Sequence, residues 1–135
     1  MNLEESMRCL QAQFHVPPVI ANEAGEHGYR FGEVSVGLSE AHPPGFLAAR
    51  AWVGRIDPAD EASLSALAQA NLCLPIAPEA HLCLDGDGEV YLDQRIGGEQ
   101  LTDEMFLDCL ARLVGEADVW QKRLMQAETT PVLED

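Results

Sequence analysis

The stretch LCLDGDGEVYLDQRI, residues 82–96, decides the fold of this chain. Its short apolar half ends at the turn Asp85-Gly86-Asp87-Gly88, and its second half alternates apolar with polar residues. Asp-Gly pairs tolerate the positive φ angles of tight hairpin turns. The second half is therefore predicted to return antiparallel to the first, as a β-hairpin.

One long amphipathic helix is predicted directly after this hairpin. Thr102 is placed to cap its first turn, with Leu101 and Phe106 as a hydrophobic staple around the cap. Lys122 and Arg123 are placed in the predicted last turn, at the negative end of the helix dipole. The apolar positions recur at helical spacing and form one broad stripe: Met105, Phe106, Cys109, Leu110, Leu113, Val114, Ala117, Trp120 and Leu124.

Length and charge limit the classes of function. The chain has 135 residues and a formal net charge of −15, with a single lysine. One domain is predicted over residues 1–127, followed by a disordered tail over 128–135. The acidic charge disfavours nucleic acid and anionic membranes as partners, because both carry negative charge. The acidic, polar N-terminus does not fit a secretory signal, so a cytoplasmic protein is expected.

The cysteines and histidines do not predict a metal site or a disulfide framework. Cys9, Cys73 and Cys109 lie far apart in apolar contexts and are interpreted as reduced thiols, as is Cys83. His81 lies two residues before Cys83, so both point to one face of a strand, but two ligands do not make a site. No metal and no cofactor is therefore expected.

Known catalytic and ion-binding patterns do not match either. The acidic hairpin turn fails the spacing of a calcium-binding EF-hand loop, and no phosphate-binding glycine loop or nucleophile elbow occurs. Many carboxylates are present, but those at helical spacing suit solvated surface pairs. The sequence therefore predicts a protein that is not an enzyme.

The N-terminal segment, residues 2–14, is predicted to form the first helix. Its apolar residues Leu3, Met7, Leu10 and Phe14 fall at gaps of four, three and four, the spacing of a narrow seam. Two interpretations stay open. The seam packs entirely on a sheet, or part of it is open and contacts a partner.

The middle of the chain predicts two strands and a helix. One strand is expected over residues 29–38, with room for an extra short strand near 29–33, and another over 46–56. Both sides of the second strand are largely apolar, which is typical of a central strand or of one whose second face is covered. The second helix is predicted to begin at Asp57-Pro58.

The element order gives the predicted fold class. The predicted order is helix, strand, strand, helix, strand, strand, helix. Because short turns join the strands, this order indicates an α+β fold. We expect an antiparallel β-sheet flanked by three helices.

Three stretches carry a resemblance to a known family. They are the second helix ending LSALAQAN (residues 64–71), the hairpin, and the closing helix with Ala117-x-x-Trp120. Together with element order, size and acidity, they resemble the class I chaperones of bacterial type III secretion, the Tir-chaperone-like family. The resemblance covers about residues 3–125.

The resemblance implies a homodimer without enzymatic activity. Such a dimer binds the N-terminal segment of a secreted effector in extended form and keeps it soluble and export-competent; part of the effector adds a strand to a sheet edge. The export ATPase of the secretion apparatus is implied as a further partner.

Carried over by position, the resemblance also implies two sets of site residues. The turn at Pro43-Pro44 and the alanine-rich second strand depart from the family pattern. The implied effector-facing residues are Met7, Leu10, Phe14, Val34, Val36, Phe46, Ala48 and Trp52. The implied dimer residues are Leu67, Leu72, Leu74, Leu82 and Leu84.

Three other functions remain as alternatives. The same fold can sequester a regulatory protein of the secretion system, as an anti-activator or anti-antiactivator. A small enzyme would use the carboxylates in a closed cleft. A purely structural domain would lack an exposed apolar patch.

Overall fold

A computed structural model describes the chain except residues 16–21, 24, 42–44, 74–79, 98–100 and 130–135, and describes only the backbone of 70–73 and 125–129. Within these residues lie three helices and five strands. In chain order they are α1 (Leu3–Phe14), β1 (His27–Phe31), β2 (Val34–Glu40), β3 (Phe46–Arg55), α2 (Glu61–Cys73), β4 (Ala80–Leu84), β5 (Glu89–Gly97) and α3 (Asp103–Thr129).

The strands form one antiparallel sheet in the order β1-β2-β3-β5-β4. The predicted hairpin is β4 and β5, in which Leu82 lies opposite Leu92 and Leu84 opposite Val90. At its turn the Asp85 carboxylate accepts the backbone N–H groups of Asp87 and Glu89, both at 2.9 Å. The α+β class and the antiparallel sheet are therefore as predicted. The extra short strand is present as β1.

The turn also fixes the contact between the hairpin and the end of β3. Gly88 has a φ of 86°, and its carbonyl accepts the N–H of Ile56 at 2.8 Å. A Cβ atom at Gly88 would overlap the carbonyl oxygen of Ile56. Gly86, two residues earlier, has no such neighbour within 4 Å.

Gly88→Ala is therefore expected to lower the free energy of unfolding by at least about 2 kcal/mol, through a strained φ and a steric overlap. Gly86→Ala in the same turn is the matched control and should stay within about 0.5 kcal/mol of the parent chain. Urea unfolding followed by circular dichroism measures both. Equal stabilities of the two variants would contradict this account of the turn.

One face of the sheet and the two helices α1 and α3 enclose the core. The fully buried members of the predicted α3 stripe pack on β3, β5 and β2, while Met105 at its margin is exposed. The cap is as predicted, since Thr102 Oγ1 accepts the N–H of Met105 at 3.2 Å. The largest fully buried side chains of the core are Phe106, Leu10, Leu38, Leu47, Leu92 and Leu113.

Two helix ends differ from the prediction. α2 begins at Glu61 and is capped by Asp60, whose carboxylate accepts the N–H of Ala62. Asp57 caps a separate turn before the helix, because its carboxylate accepts the N–H of Ala59 at 2.9 Å. α3 runs to Thr129, so Lys122 and Arg123 lie before its last turn. No helix in the described part of the chain is long and apolar enough to cross a membrane.

A buried amide joins the far end of α3 to the sheet. The Nε2 of Gln121 donates to the backbone carbonyls of Glu33 at 3.2 Å and Trp52 at 3.0 Å. A β-bulge follows Trp52, and Gly54 in the bulge has a φ of 155°, where its missing side chain leaves room for Leu124 of α3. The bulge and the amide together hold the end of β3 against α3.

Candidate functional site

The sheet has a second face, opposite the one packed on α1 and α3. On β3 the buried residues Leu47, Ala49, Ala51 and Val53 point toward the helices, so the alternate residues point away from them. We call this second surface the open face. Its side chains in β3, β5 and β4 are exposed or half-buried, namely Phe46, Ala48, Arg50, Trp52, Tyr91, Asp93, Arg95, His81 and Cys83.

Three predicted effector-facing residues come together on the open face. Phe46, Ala48 and Trp52 alternate along β3, which is the central strand of the sheet. The Trp52 side chain remains 40% exposed, although its indole N–H donates to the Glu89 carboxylate. The two apolar sides of β3 thus have different surroundings. One side packs in the core, and the other side is part of the open face.

Three other predicted effector-facing residues lie in the core. Leu10, Val34 and Val36 are buried between the sheet and the helices, where they hold the fold together. They are corrected to core residues of the described chain. Their apolar character looked the same in the sequence as that of Phe46 and Trp52.

The first helix presents its C-terminal end. Phe14 is exposed and lies edge-to-face against Phe31 of β1, with ring centroids 5.7 Å apart. Met7 is half-buried and packs against the core. Part of the seam is therefore accessible, at Phe14, while Leu10 lies inside. Contact of this part with a partner stays a prediction.

Arginines give the open face a polar pattern that the sequence did not reveal. Arg50 donates to both oxygens of Asp93, at 3.0 and 3.1 Å, and its guanidinium lies 4.9 Å from the centroid of the Tyr91 ring. Arg95 lies over the Phe46 ring at 5.9 Å. Guanidinium groups stacked on aromatic rings keep free N–H donors at their edges.

A similar pairing occurs at the bulged end of β3. Arg55 and Trp52 both donate to the Glu89 carboxylate. The hydrogen bonds from Arg55, and then from Trp52, hold the pKa of Glu89 below its ordinary value. Arg50 and Arg95 on the open face and Arg55 at the bulged end of β3 are three of the eight basic residues of a chain with net charge −15.

The open face contains a groove of about 680 Å³ over the alanines of β3. Phe46 and Ala48 form its apolar floor, and Arg50, Asp93 and His81 form polar walls. The small side chain of Ala48 keeps the floor of this groove shallow. The groove can accept an extended segment that offers apolar side chains and hydrogen-bond acceptors.

A second cluster lies on the same face, at the edge of the sheet. His81 of β4 lies directly opposite Asp93 of β5, and Cys83 follows on the same face. The three potential ligand atoms all lie within 4.8 Å of one another. Burial, followed by the negative charge of Asp93, raises the pKa of Cys83 to about 11. The sequence showed the His81-Cys83 pair, but the strand register that adds Asp93 was not readable from it.

The predicted dimer residues lie in different environments. Leu67 is half-buried on α2, Leu82 belongs to the core, and Leu84 is half-buried at the end of β4. The side chain of Leu72 and the whole of Leu74 lie outside the described residues.

Leu67 lines a second groove, of about 590 Å³, between α2 and the C-terminal part of α3, which we call the α2–α3 groove. Its other apolar walls are Ile56, Pro58, Trp120 and Leu124. The buried indole nitrogen of Trp120 has no hydrogen-bond partner among the described residues. Like the open face, this groove is a surface that the described residues leave uncovered.

Comparisons with known proteins agree with the predicted resemblance. The family model of the Tir chaperone protein (CesT) family matches residues 7–121. Among solved structures, a chain of the ExsC-ExsE complex shares 29% identity, with a TM-score of 0.71 over 90% of this chain and 96% of that one. The curated proteins searched include no match.

Two further structures share the fold at lower identity. A chain of the HopA1-SchA chaperone-effector complex has 16% identity and a TM-score of 0.65 over 88% of this chain and 92% of that one. The Yersinia pestis type III secretion chaperone SycH, solved with a stable fragment of YscM2, has 17% identity and a TM-score of 0.62. This match covers 86% of this chain and 97% of that one. The predicted family resemblance and fold are thereby confirmed.

Proposed function

The chain belongs to the Tir chaperone protein (CesT) family, and from this premise we propose that it is a type III secretion chaperone that binds a secreted effector protein. It holds the N-terminal segment of the effector in extended form, which keeps the segment soluble and competent for export. The chain does this in the bacterial cytoplasm and without enzymatic activity. The export ATPase of the secretion apparatus then receives the complex.

The observation that carries the proposal is the open face. Phe46, Ala48 and Trp52 lie uncovered on the central strand of a sheet whose other face is fully packed. A protein that stays folded while exposing a central strand has a surface suited to an apolar partner segment. Phe14 extends the set of proposed contacts on α1.

The edges of the sheet support the extended form of the bound segment. Among the described strands, β1 pairs only with β2 and β4 only with β5. β1 and β4 are therefore the edge strands of the described sheet, and the bound segment is proposed to add a strand at one of these edges. Ordering a disordered segment costs conformational entropy, so the contacts must extend over a large surface to compensate.

We assign homodimer formation to the α2–α3 groove and the adjoining end of β4. Leu67 and Leu84 are the described dimer candidates there, and Leu72 and Leu74 stay predicted dimer residues. Light scattering of the purified chain should give the mass of two copies, and Leu67→Asp should shift it to one. A chain that is monomeric at all concentrations would contradict this assignment.

Affinity capture from the cytosol of secreting cells tests the function. The tagged chain should retain one dominant protein at one copy per dimer. Peptides protected from limited proteolysis should map to that protein's N-terminal region. A dimer that retains nothing from actively secreting cells would overturn the chaperone assignment.

Regulation is the second candidate function. In it the chain uses the same face to sequester a protein that controls secretion genes. The likeness to a chain of the ExsC-ExsE complex at 29% identity favours this candidate. The same capture experiment separates the two functions. A chaperone retains a secreted effector, whereas a regulatory partner retains a regulator of secretion genes or its antagonist.

A further inference from the structure

We propose that His81, Cys83 and Asp93 form a zinc-binding site on the open face. The proposal is independent of the chaperone function, since it rests on the side chains of one hairpin. It departs from the sequence-based expectation that the chain binds no metal, because the structure adds Asp93 to the His81-Cys83 pair.

The hairpin register brings the three residues together. His81 and Cys83 are two residues apart on β4 and therefore lie on the same face of the sheet. Asp93 of β5 is the cross-strand partner of His81. The His81 ring nitrogens, the Cys83 sulfur and the Asp93 oxygens place one ligand atom each within 4.8 Å of the others.

The donor set suits zinc better than the common hard cations. Thiolate, imidazole and carboxylate are the three ligand types that Zn²⁺ takes in proteins, whereas Mg²⁺ and Ca²⁺ prefer oxygen ligands alone. Zinc–ligand bonds of about 2.0–2.3 Å in a tetrahedron require ligand atoms to lie about 3.3–3.8 Å apart. His81 is exposed and Cys83 half-buried, so rotations of these two side chains are the movements that zinc binding would require.

Arg50 is placed as a partner of the ligating carboxylate. Its guanidinium donates to both oxygens of Asp93. When one oxygen turns to the metal, the other can keep its hydrogen bond to Arg50, which is the arrangement that commonly orients carboxylate ligands. Without metal, the thiol of Cys83 and the guanidinium of Arg50 share the same carboxylate.

A site in this place lies beside the groove of the open face. His81 and Asp93 are walls of that groove. Bound zinc would tie β4 to β5 at the edge of the sheet and add positive charge to a surface that also has Arg50 and Arg95. Zinc therefore acts on the same surface that we assign to partner binding.

Cobalt titration of the purified, chelator-treated chain tests the site. Co²⁺ should bind at one ion per chain and give the near-ultraviolet thiolate-to-metal charge-transfer band, and Zn²⁺ should remove the band by displacement. Cys83→Ser should abolish the band. His81→Ala and Asp93→Asn should each weaken Zn²⁺ binding by at least about 10-fold, the lower limit known for loss of outer-shell partners.

Cys109→Ser is the matched control, because Cys109 is a half-buried thiol on α3 outside the cluster. It should bind Co²⁺ like the parent chain. Circular dichroism checks that each variant is folded, and Zn²⁺ should raise the melting temperature of the parent chain but not of Cys83→Ser. A missing charge-transfer band in the folded parent chain, or an undiminished band in Cys83→Ser, would overturn the proposal.

Discussion

Trp52→Asp is expected to weaken binding of the effector segment by about 30-fold or more, the loss that corresponds to a binding hot spot of at least 2 kcal/mol. Trp52 is the largest exposed apolar side chain on the open face. The substitution removes aromatic contact area. It also places a carboxylate beside Glu89, which now accepts the indole N–H. Calorimetry with the N-terminal segment of the captured partner measures the effect.

Val119→Asp is the matched control for this experiment. Val119 is 42% exposed, close to the 40% of Trp52, but it lies on α3, on the opposite side of the sheet. Its substitution should leave the dissociation constant within about twofold of the parent value, as expected for a site outside the interface. Unchanged binding by a folded Trp52→Asp variant would remove the open face from the binding site.

Phe106→Ala is expected to lower the free energy of unfolding by about 3–5 kcal/mol, which is a large part of the stability of a domain of this size. Phe106 is 0% exposed and packs in the core. Its N–H also donates to the carbonyl of Thr102 at 2.9 Å, in the first turn of α3. The truncation leaves a cavity where the helix meets the sheet. Urea unfolding measures the loss.

Met105→Ala, one residue earlier, is the control. Met105 is 50% exposed in the same turn, so its truncation should cost no more than about 0.5 kcal/mol. The pair separates burial from helix propensity, because both substitutions place alanine in the first turn of α3. Similar losses in the two variants would contradict the assignment of Phe106 to the core.

The parts of the fold that could be predicted from the sequence are those that local residue patterns determine. Asp-Gly turn chemistry located the hairpin, and the period of the apolar residues located α3, because both signals act within a few residues of chain. The start of α2 was predicted one turn too early. Asp57-Pro58 has the composition of a helix cap, but it caps a separate turn before Asp60.

The candidate site was predictable only in part, because exposure depends on which face of an element finds a neighbour. Alternation along β3 placed Phe46, Ala48 and Trp52 on one side, and the structure leaves that side open. Val34 and Val36 alternate in the same way on β2, yet they face the helices. Asp93 joined His81 and Cys83 only through the register of the hairpin, which the turn geometry sets. The turn contains two Asp-Gly pairs, at 85–86 and 87–88, and each would set a different register.

In the proposed function, the open face holds the N-terminal segment of a secreted partner. Photo-crosslinking tests this location of the bound segment. A benzophenone side chain is placed at position 46 on the open face and, for comparison, at position 119 on α3. From position 46 the crosslinked peptides should come from the N-terminal region of the captured protein, and position 119 should give few or none. Crosslinks that form from position 119 and not from position 46 would contradict the account.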